Sequence, residues 1–384
     1  MKSLVFLLIS FLVFSSVQGS VLPLSQPMKS SILYVGGSGE GNFSFIMNAV
    51  EAAVNGDCIL VYPGIYYEHL ILNVSVSLIS IGGMKETIVD ANMSSLPLRV
   101  FADSCRIEGF TFQNNGDLGY DYTANVILHG DNCIFSNNTV SMRDVDQIYA
   151  DSAIELSGNN SEISYCRLLE NDDNPLIQRG IYIDQDSSNC YIHDNYIEGF
   201  ASGIYSYYFT NEIVIEHNSI EFCTIGIFAH GSDIRIVRNT VLNCSGSAIS
   251  LFAPNSYVAL NDMSCEDDSY NGCMFVYTSA EESVIEQNRI SGKTNYGIYL
   301  VDPQKCIVRH NDILQGNIFV FRYLNTLWKK FQISENYYAE ENLNRFGWQI
   351  LPGNLQIITY FEASWDIPWY AFDKNPASNP MFPI

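Results

Sequence analysis

Basic residues are scarce in this sequence. Its 384 residues include 19 Lys and Arg side chains against 42 Asp and Glu side chains, which gives a formal net charge of −23. So acidic a surface repels phosphate groups, and the composition therefore argues against nucleic acid and anionic lipid as partners. Cations remain possible partners of this acidic surface.

Long apolar runs are missing after the first 19 residues, and without such a run we expect no membrane span. The opening MKSLVFLLISFLVFSSVQG combines one Lys, an apolar run and small residues, which predicts a secretory signal peptide over residues 1–19. We therefore expect a secreted or cell-surface protein. Six Asn-x-Ser/Thr sequons suit a glycoprotein in that compartment, at Asn42, Asn73, Asn92, Asn137, Asn159 and Asn243.

The cysteine spacing typical of zinc sites is also missing. No Cys-x-x-Cys motif occurs among the 10 cysteines, which argues against a zinc site and favours disulfides in an exported chain. Cys265 and Cys273 flank the polar segment EDDSYNG, and we predict a disulfide between them. Other cysteines share a position in successive repeats, where either disulfides or stacked thiols fit: Cys105 with Cys133, and Cys223 with Cys244.

A loose internal repeat is the main feature that the sequence does contain. The phrase apolar-x-x-Asn-x-apolar recurs with its Asn at positions 138, 195, 218, 239, 261, 288, 311 and 336. Each repeat carries short runs of alternating apolar residues, rich in β-branched side chains and broken by Gly, Asn and Asp. Short strands at this period predict an all-β fold, a right-handed parallel β-helix of about eleven coils.

The repeated Asn has a predicted structural role. We expect it to adopt the unusual backbone angles of a tight turn and to bond the backbone through its amide, so that stacked Asn side chains form a ladder.

The two ends of such a solenoid need covers, because exposed strand edges invite aggregation. Residues 44–54, SFIMNAVEAAV, have apolar residues at helical spacing and Ser44 as a candidate N-cap, which predicts a capping helix. We assign residues 20–337 to the β-helix domain. The aromatic-rich residues 338–384 are assigned to a capping tail over the last coil or a flank.

Two segments carry a family resemblance. The opening YVGGSGEGNFSFIMNAVEAAVNGDCILVYPGIYYEHLILNVSVSLISIGG resembles pectin-esterase-like and NosD-like secreted β-helix proteins, and the closing IPWYAFDKNPASNPMFPI is similar to archaeal-type NosD-like tails. The resemblance implies the pectin-lyase-like fold. It implies no single activity, since that superfamily includes lyases, hydrolases, esterases and accessory proteins of copper-enzyme maturation. His217 and His310 are four coils apart and cannot share one copper ion, so we interpret them as structural.

Aromatic residues recur at two positions of the predicted outer face. The second residue after the Gly of each repeat gives Ile127, Glu155, Tyr182, Tyr205, Phe228, Ser250, Phe275, Tyr299 and Phe319; the fourth gives His129, Ser157, Asp184, Tyr207, His230, Phe252, Tyr277, Val301 and Phe321. We predict that a polysaccharide or glycoconjugate binds this face, with candidate ligand-binding residues Tyr182, Tyr205, Tyr207, Phe228, His129, His230 and Glu155. The alternative is a structural ladder, exposed or beneath the tail, in a non-catalytic surface or accessory protein that binds another protein.

The ligand is expected toward the N-terminal half of this face, where acidic loops precede the strands. A sugar chain along the rod would stack on Tyr182 and Tyr205, beside Asp184 and opposite Asp172 and Asp173.

The same acidic residues are the candidates for catalysis and metal binding. Asp172, Asp173 and Asp184 would serve as acid and base, with Arg179 as the cation that a uronate-cleaving lyase needs. Alternatively, Asp172 and Asp173 would bind Ca²⁺, the one cofactor proposed. The polygalacturonase motifs Asn-Thr-Asp and Arg-Ile-Lys are absent, so whether the protein is an enzyme, either a lyase or a glycoside hydrolase, stays open.

Overall fold

A computed structural model describes residues 30–116, 123–142, 150–170, 178–185, 187–266, 272–323, 330–339, 349–358 and 364–381. These residues form 38 strands and one short helix. The predicted signal peptide lies outside the described residues. Within the described ranges, no helix has the length and apolar character needed to cross a bilayer.

Three sheets of short strands run along the molecule, with 13, 12 and 13 strands. The first sheet contains Ile32–Val35, Asp57–Val61, Val76–Ser80, Arg106–Glu108, Ile134–Ser136, Glu162–Ser164, Tyr191–His193, Val214–Glu216, Arg235–Val237, Tyr257–Ala259, Val284–Glu286, Ile307–Arg309 and Gln332–Ser334. The second contains Gly64–Tyr66, Thr87–Asp90, Thr111–Gln113, Thr139–Ser141, Arg167–Leu169, Tyr196–Glu198, Ser219–Glu221, Thr240–Cys244, Asp262–Cys265, Arg289–Gly292, Asp312–Ile313 and Tyr337–Tyr338. The third contains Leu70–Leu72, Leu98–Val100, Thr123–Leu128, Ala150–Leu156, Arg179–Ile183, Ser202–Ser206, Ile225–Ala229, Ile249–Leu251, Met274–Val276, Ile298–Val301, Ile318–Tyr323, Gln349–Ile358 and Ser364–Asp373.

The chain passes through the first, second and third sheets in turn, and the strands before Ser364–Asp373 pair in parallel with those one coil away. Ile163, for example, lies opposite Phe135 on one side and Ile192 on the other. The arrangement is a parallel β-helix with about eleven complete coils before a C-terminal hairpin, which confirms the predicted fold.

The core is a stack of apolar side chains, because alternation turns the middle residue of each short strand inward. In the first sheet this column is fully buried and includes Ile107, Phe135, Ile163, Ile192, Ile215 and Ile236. The Gly that opens many repeats is required by this packing. A Cβ atom at Gly203 would lie 2.6 Å from Cγ2 of Ile220, inside the core.

The repeated Asn side chains form a buried ladder at the corner between the first and second sheets. The Nδ2 group of Asn239 donates to Oδ1 of Asn261 at 3.0 Å and to the carbonyl of Ile215 at 2.9 Å. Its Oδ1 accepts from the backbone and side-chain amides of Asn218, both at 3.0 Å. The same pattern links Asn195 through to Asn336, as predicted.

The predicted backbone role of these Asn residues was wrong. The left-handed conformation belongs to the preceding residue, for example His217 with φ 56° and His310 with φ 56°. The Asn side chain then satisfies the backbone groups that this corner leaves without strand partners. This placement gives His217 and His310 a structural position at two corners.

The N-terminal cap is the helix Ile46–Ala52, inside the predicted range. Ser44 is not its N-cap: Phe45 occupies that position and its side chain makes no capping bond. The carboxylate of Glu68 instead accepts the backbone N–H groups of Ile46 and Met47 at 2.8 and 2.9 Å. A long-range residue from the first coil therefore replaces the local cap, which sequence spacing alone does not reveal.

The C-terminal cap extends the solenoid. Gln349–Ile358 pairs in parallel with Ile318–Tyr323, and Ser364–Asp373 then pairs antiparallel with it, which ends the third sheet. Asp373 is fully buried at the end of the Asn ladder, and its Oδ2 accepts the backbone N–H of Asn336 at 3.1 Å. The described part of the tail thus lies at the end of the third sheet and of the Asn ladder.

Candidate functional site

The predicted outer columns lie in register on the third sheet. Cα pairing runs through Ile127, Glu155, Tyr182, Tyr205, Phe228, Ser250, Phe275, Tyr299 and Phe319, one residue per coil. Tyr182, Tyr205 and Phe228 are half-buried, whereas Ile127, Ser250 and Phe319 are buried. The outer face of this sheet therefore carries an aromatic row that is partly open to solvent.

The rings of this row cover one another's faces. Tyr205 and Phe228 are parallel, with an interplanar angle of 1° and centroids 5.0 Å apart, and Phe252 lies 5.1 Å from Phe228. Because the rings stack along the rod axis, their edges, rather than their faces, are turned outward. A sugar ring would meet the ring edges of Tyr205 and Phe228 and the hydroxyl group of Tyr205, which differs from the expected face-on stacking.

A polar cluster lies at Tyr182. Its hydroxyl donates to Oδ1 of Asp184 at 3.0 Å, and the guanidinium carbon of Arg179 lies 5.0 Å from the Tyr182 ring centroid and 4.7 Å from that of Tyr205. Burial raises the pKa of Tyr182, and the adjacent Asp184 carboxylate raises it further. The phenol therefore stays protonated, so Asp184 accepts its hydrogen bond while Arg179 presents a cation beside two rings.

Exposed rings flank this cluster on the turn after Ser202–Ser206. Tyr208 is 57% exposed and Phe209 is 69% exposed. The Tyr208 ring lies 4.1 Å from the ring of His230 and 5.2 Å, edge-on, from Tyr207. His230 is buried among aromatic rings, and this desolvation lowers its pKa to about 4, so its imidazole is neutral at pH 7.

The N-terminal end of the same face is more polar. His129 is exposed, and its Nδ1 lies 2.8 Å from Oγ of Ser157 in the next coil. Its ring stacks on Phe101 with centroids 5.0 Å apart. Desolvation lowers the pKa of His129, as does the positive charge of Arg99, whereas Asp184 opposes the shift.

Comparison with known proteins was informative at the level of the family. The sequence model described as "Right handed beta helix region" matches residues 98–240 and 202–340, which together span more than half of the chain. The chain belongs to the right-handed β-helix family. A search of curated protein sequences finds no match to this β-helix.

Solved structures resemble this right-handed β-helix at low sequence identity. A mannuronic acid specific polysaccharide family 6 lyase from human gut microbiota superposes with a TM-score of 0.59 and 10% identity, over 87% of this chain and 84% of that chain. The surface adhesin PfbA of Streptococcus pneumoniae gives 0.57 and 13%, over 87% and 94%. The tailspike protein of E. coli bacteriophage HK620, in complex with a pentasaccharide, gives 0.54 and 12%, over 79% and 66%. These likenesses show the fold alone.

The β-helix brings most of the predicted ligand-binding residues onto one face. Tyr182, Tyr205, Tyr207, Phe228 and His230 are neighbours, while Glu155 lies one coil before Tyr182 and His129 one coil before Glu155. Arg179 and Asp184 join them through Tyr182. Asp172 and Asp173, predicted as catalytic or Ca²⁺ ligands, lie outside the described residues. No group of three His, Cys, Asp or Glu side chains in the described part of the chain is arranged to hold a metal.

The predicted disulfide pair is close in space. The Sγ atoms of Cys265 and Cys273 lie 2.8 Å apart, and both cysteines are buried thiols in this structure. Burial raises the pKa of Cys273 well above its usual value, and its contact with Cys265 adds to the shift. The disulfide itself stays a prediction.

Sequence reasoning missed two features of the β-helix surface. Tyr208 and Phe209 lie in a turn, outside the alternating columns, so periodicity gave no signal for them. A second cluster lies on the first sheet, where His193 has Nε2 3.2 Å from Glu162 and Nδ1 2.7 Å from Asp194. Glu162 pairs with Tyr191, two residues before His193 in the same strand. Aligning these two strands of the first sheet would therefore have brought Glu162 and His193 together.

Proposed function

We propose that this protein binds a polysaccharide outside the cytoplasm, along the outer face of the third sheet. The observation that carries the proposal is the juxtaposition of the exposed Tyr208 ring with the polar cluster of Arg179, Tyr182 and Asp184. Carbohydrate sites combine apolar surface for the faces of sugar rings with polar groups for their hydroxyls. Within this face, both components lie within neighbouring coils.

The geometry supports a chain that runs along the rod. Tyr207 connects the two components, because its ring meets Tyr182 edge-on at 6.3 Å and Tyr208 edge-on at 5.2 Å. Coils repeat about every 4.8 Å, so a linear polymer passes the same side-chain position once per coil. Asp184 would accept from sugar hydroxyls, and Arg179 would bind hydroxyls or a carboxylate.

Export is part of the proposal and rests on residues 1–19 and the sequons. Asn73, Asn92 and Asn137 are exposed, as acceptors of a glycan must be. Asn42 and Asn159 instead use their side-chain Nδ2 in hydrogen bonds, to the carbonyl of Gly36 and to Asp131. We expect glycosylation at the first three sites in preference to these two.

Cleavage is a separable part of the proposal. Asp184 and Arg179 are the described members of the predicted catalytic set, and they lie at the polar end of the proposed binding face. A lyase would release unsaturated products that absorb in the ultraviolet, and a hydrolase would release new reducing ends. Binding without either product would indicate the non-catalytic class.

The test uses a polysaccharide array probed with the secreted protein and two tyrosine variants. Tyr208→Ala removes the exposed ring of the proposed site, and Tyr165→Ala is a matched control, since Tyr165 is 60% exposed but lies on the first-sheet side. We expect Tyr208→Ala to weaken binding by about 1 to 2 kcal/mol, roughly 5- to 30-fold. Tyr165→Ala should bind like the unchanged protein.

The proposal fails if no polysaccharide is retained, or if both variants lose affinity equally. Binding to a surface protein with no glycan retained would favour the alternative, a non-catalytic surface or accessory β-helix.

A further inference from the structure

Ser157 and His129 form a pair that the proposed binding role does not use. They lie at the N-terminal end of the third-sheet face, with Oγ and Nδ1 2.8 Å apart. His129 is exposed and Ser157 is partly exposed, so a ligand on this face can reach both. A serine hydroxyl within hydrogen-bond distance of an accessible imidazole is the basic arrangement for nucleophilic catalysis.

The solenoid fixes this pair. Leu128 and Leu156 are Cα partners at the ends of adjacent strands, and His129 and Ser157 are the residues that directly follow these strands. The backbone N–H of His129 donates to Val100 at 2.8 Å, and that of Ser157 donates to Leu128 at 2.9 Å. Both side chains therefore project from the same position of successive coils.

The imidazole is positioned to act as a base. Its ring stacks on Phe101 with an interplanar angle of 18°, which restricts its rotation. When Nε2 carries the ring proton, Nδ1 accepts the hydrogen bond from Ser157 Oγ–H. The neutral form is favoured, since desolvation and Arg99 lower the pKa of His129.

Arg99 supplies a positive charge at the same end of the face. It lies in the strand one coil before Ile127 and makes no hydrogen bond or ion pair with any described residue. Arg99 pairs with Ile127, two residues before His129 on the same side of the strand, which places the guanidinium on the outer face beside the pair, where it can interact with an anion. The three roles of nucleophile, base and electrostatic stabiliser are thus present together.

One other described histidine contacts a serine hydroxyl: Nε2 of His69 lies 3.0 Å from Oγ of Ser94, but that hydroxyl donates to the carbonyl of Ala91 at 3.0 Å. Both ring nitrogens of His193 face carboxylates, and His230 is buried among aromatic rings. The His129 imidazole, by contrast, is the acceptor that the described residues provide for the Ser157 hydroxyl.

We propose that Ser157 and His129 hydrolyse O-acyl esters, and that the substrate is an O-acylated polysaccharide, a choice of substrate that rests on the proposed binding function. Ser157 Oγ attacks the ester carbonyl carbon while His129 Nδ1 takes the hydroxyl proton. The bond from the carbonyl carbon to the sugar oxygen then breaks, and His129 returns the proton to that oxygen. Water, deprotonated by His129, attacks the acyl-serine; the bond from the carbonyl carbon to Ser157 Oγ then breaks, His129 returns the proton to Oγ, and the carboxylic acid is released. Arg99 would stabilise the negative charge on the carbonyl oxygen in both steps.

The experiment measures hydrolysis of 4-nitrophenyl acetate and covalent labelling by a fluorophosphonate probe. Ser157→Ala and His129→Gln are the test variants. Ser219→Ala is the matched control, since Ser219 is a partly exposed serine on the second sheet whose hydroxyl bonds Glu221 instead of a histidine. We expect at least about a 100-fold loss of hydrolysis in both test variants and none in the control, with the probe recovered on the Ser157 peptide.

The same variants are applied to the polysaccharide array, which separates the two proposals. Labelling of Ser157 without any retained polysaccharide would leave the esterase pair standing and overturn the binding proposal. Polysaccharide binding with no label, with label on another residue, or with equal hydrolysis in Ser157→Ala and Ser219→Ala would overturn the esterase proposal. Release of acid from acetylated but not deacetylated polysaccharide would support both.

Discussion

The Asn ladder and the aromatic row both repeat one kind of side chain from coil to coil, yet they differ in burial and in regularity. The ladder residues are almost completely buried, and every amide is bonded to its neighbours. The aromatic row is half-buried and is interrupted by Glu155 and Ser250. The comparison indicates that uniform repetition inside the solenoid encodes shape, whereas the departures from repetition outside mark the surface available for a ligand.

The ladder should be the more sensitive of the two to mutation. In Asn239→Ala, the backbone and side-chain amides of Asn218 lose their acceptor, and Oδ1 of Asn261 and the carbonyl of Ile215 each lose the Nδ2 donor, all within the core. Each buried group left without a partner costs about 1 to 3 kcal/mol, so we expect a loss of about 4 kcal/mol in the free energy of unfolding. Chemical denaturation of the two proteins measures this loss of stability. Asn73→Ala, at an exposed Asn, is the control, and equal stability of the two variants would contradict a structural ladder.

The aromatic row should contribute less per residue. Phe228 packs between Tyr205 and Phe252, but it is partly exposed. We expect Phe228→Ala to lower the free energy of unfolding by about 3 kcal/mol, near the lower limit for a buried Phe. Tyr208→Ala, at an exposed ring, should change stability by less than about 0.5 kcal/mol. A larger effect of Tyr208→Ala would mean that the turn is structural.

His230 makes the row sensitive to acid. Its pKa is about 4 in the folded protein, below the ordinary value of 6.5, because burial disfavours the imidazolium. The unfolded chain therefore binds a proton first as the pH falls, and stability is lost between about pH 6.5 and pH 4. We expect about 2 kcal/mol over this range, and His230→Gln should abolish this part of the pH dependence. Denaturation midpoints at several pH values test it, and identical pH profiles would count against a neutral buried His230.

The Cys265 and Cys273 pair should respond to oxidation. A disulfide would close a loop of about eight residues and raise the free energy of unfolding by about 2 kcal/mol. Peptide mapping without reductant should recover the two cysteines linked. Recovery of both as free thiols from protein purified out of an oxidising compartment would exclude the bridge.

Much of the fold was predictable because its determinants are local and periodic. The Asn spacing gave the coils, and counting from the repeated Gly placed Tyr182, Tyr205 and Phe228 in one column. Interactions between distant residues were not predictable in the same way. Glu68 replaces Ser44 as the helix cap through a contact across 22 residues, which no local pattern encodes.

The candidate site was predicted only in part for a similar reason. The repeated outer column predicted which face of the β-helix carries the candidate site. The orientation of the rings and the exposure of Tyr208 depend on side-chain packing. Tyr208 lies beyond the strand, where alternation no longer applies, and its neighbour His230 is 22 residues away in the next coil.

Hydroxyl-radical footprinting with a bound oligosaccharide, chosen from the array, tests the central claim most directly. Aromatic side chains react readily, so both sides of the solenoid can be compared in one sample. We predict protection of Tyr207, Tyr208 and Phe209 on ligand addition, with unchanged reactivity of Tyr165 and Tyr191 on the first-sheet side. Protection of Tyr165 and Tyr191 with none at Tyr208 would contradict the assignment of the binding face to the third sheet.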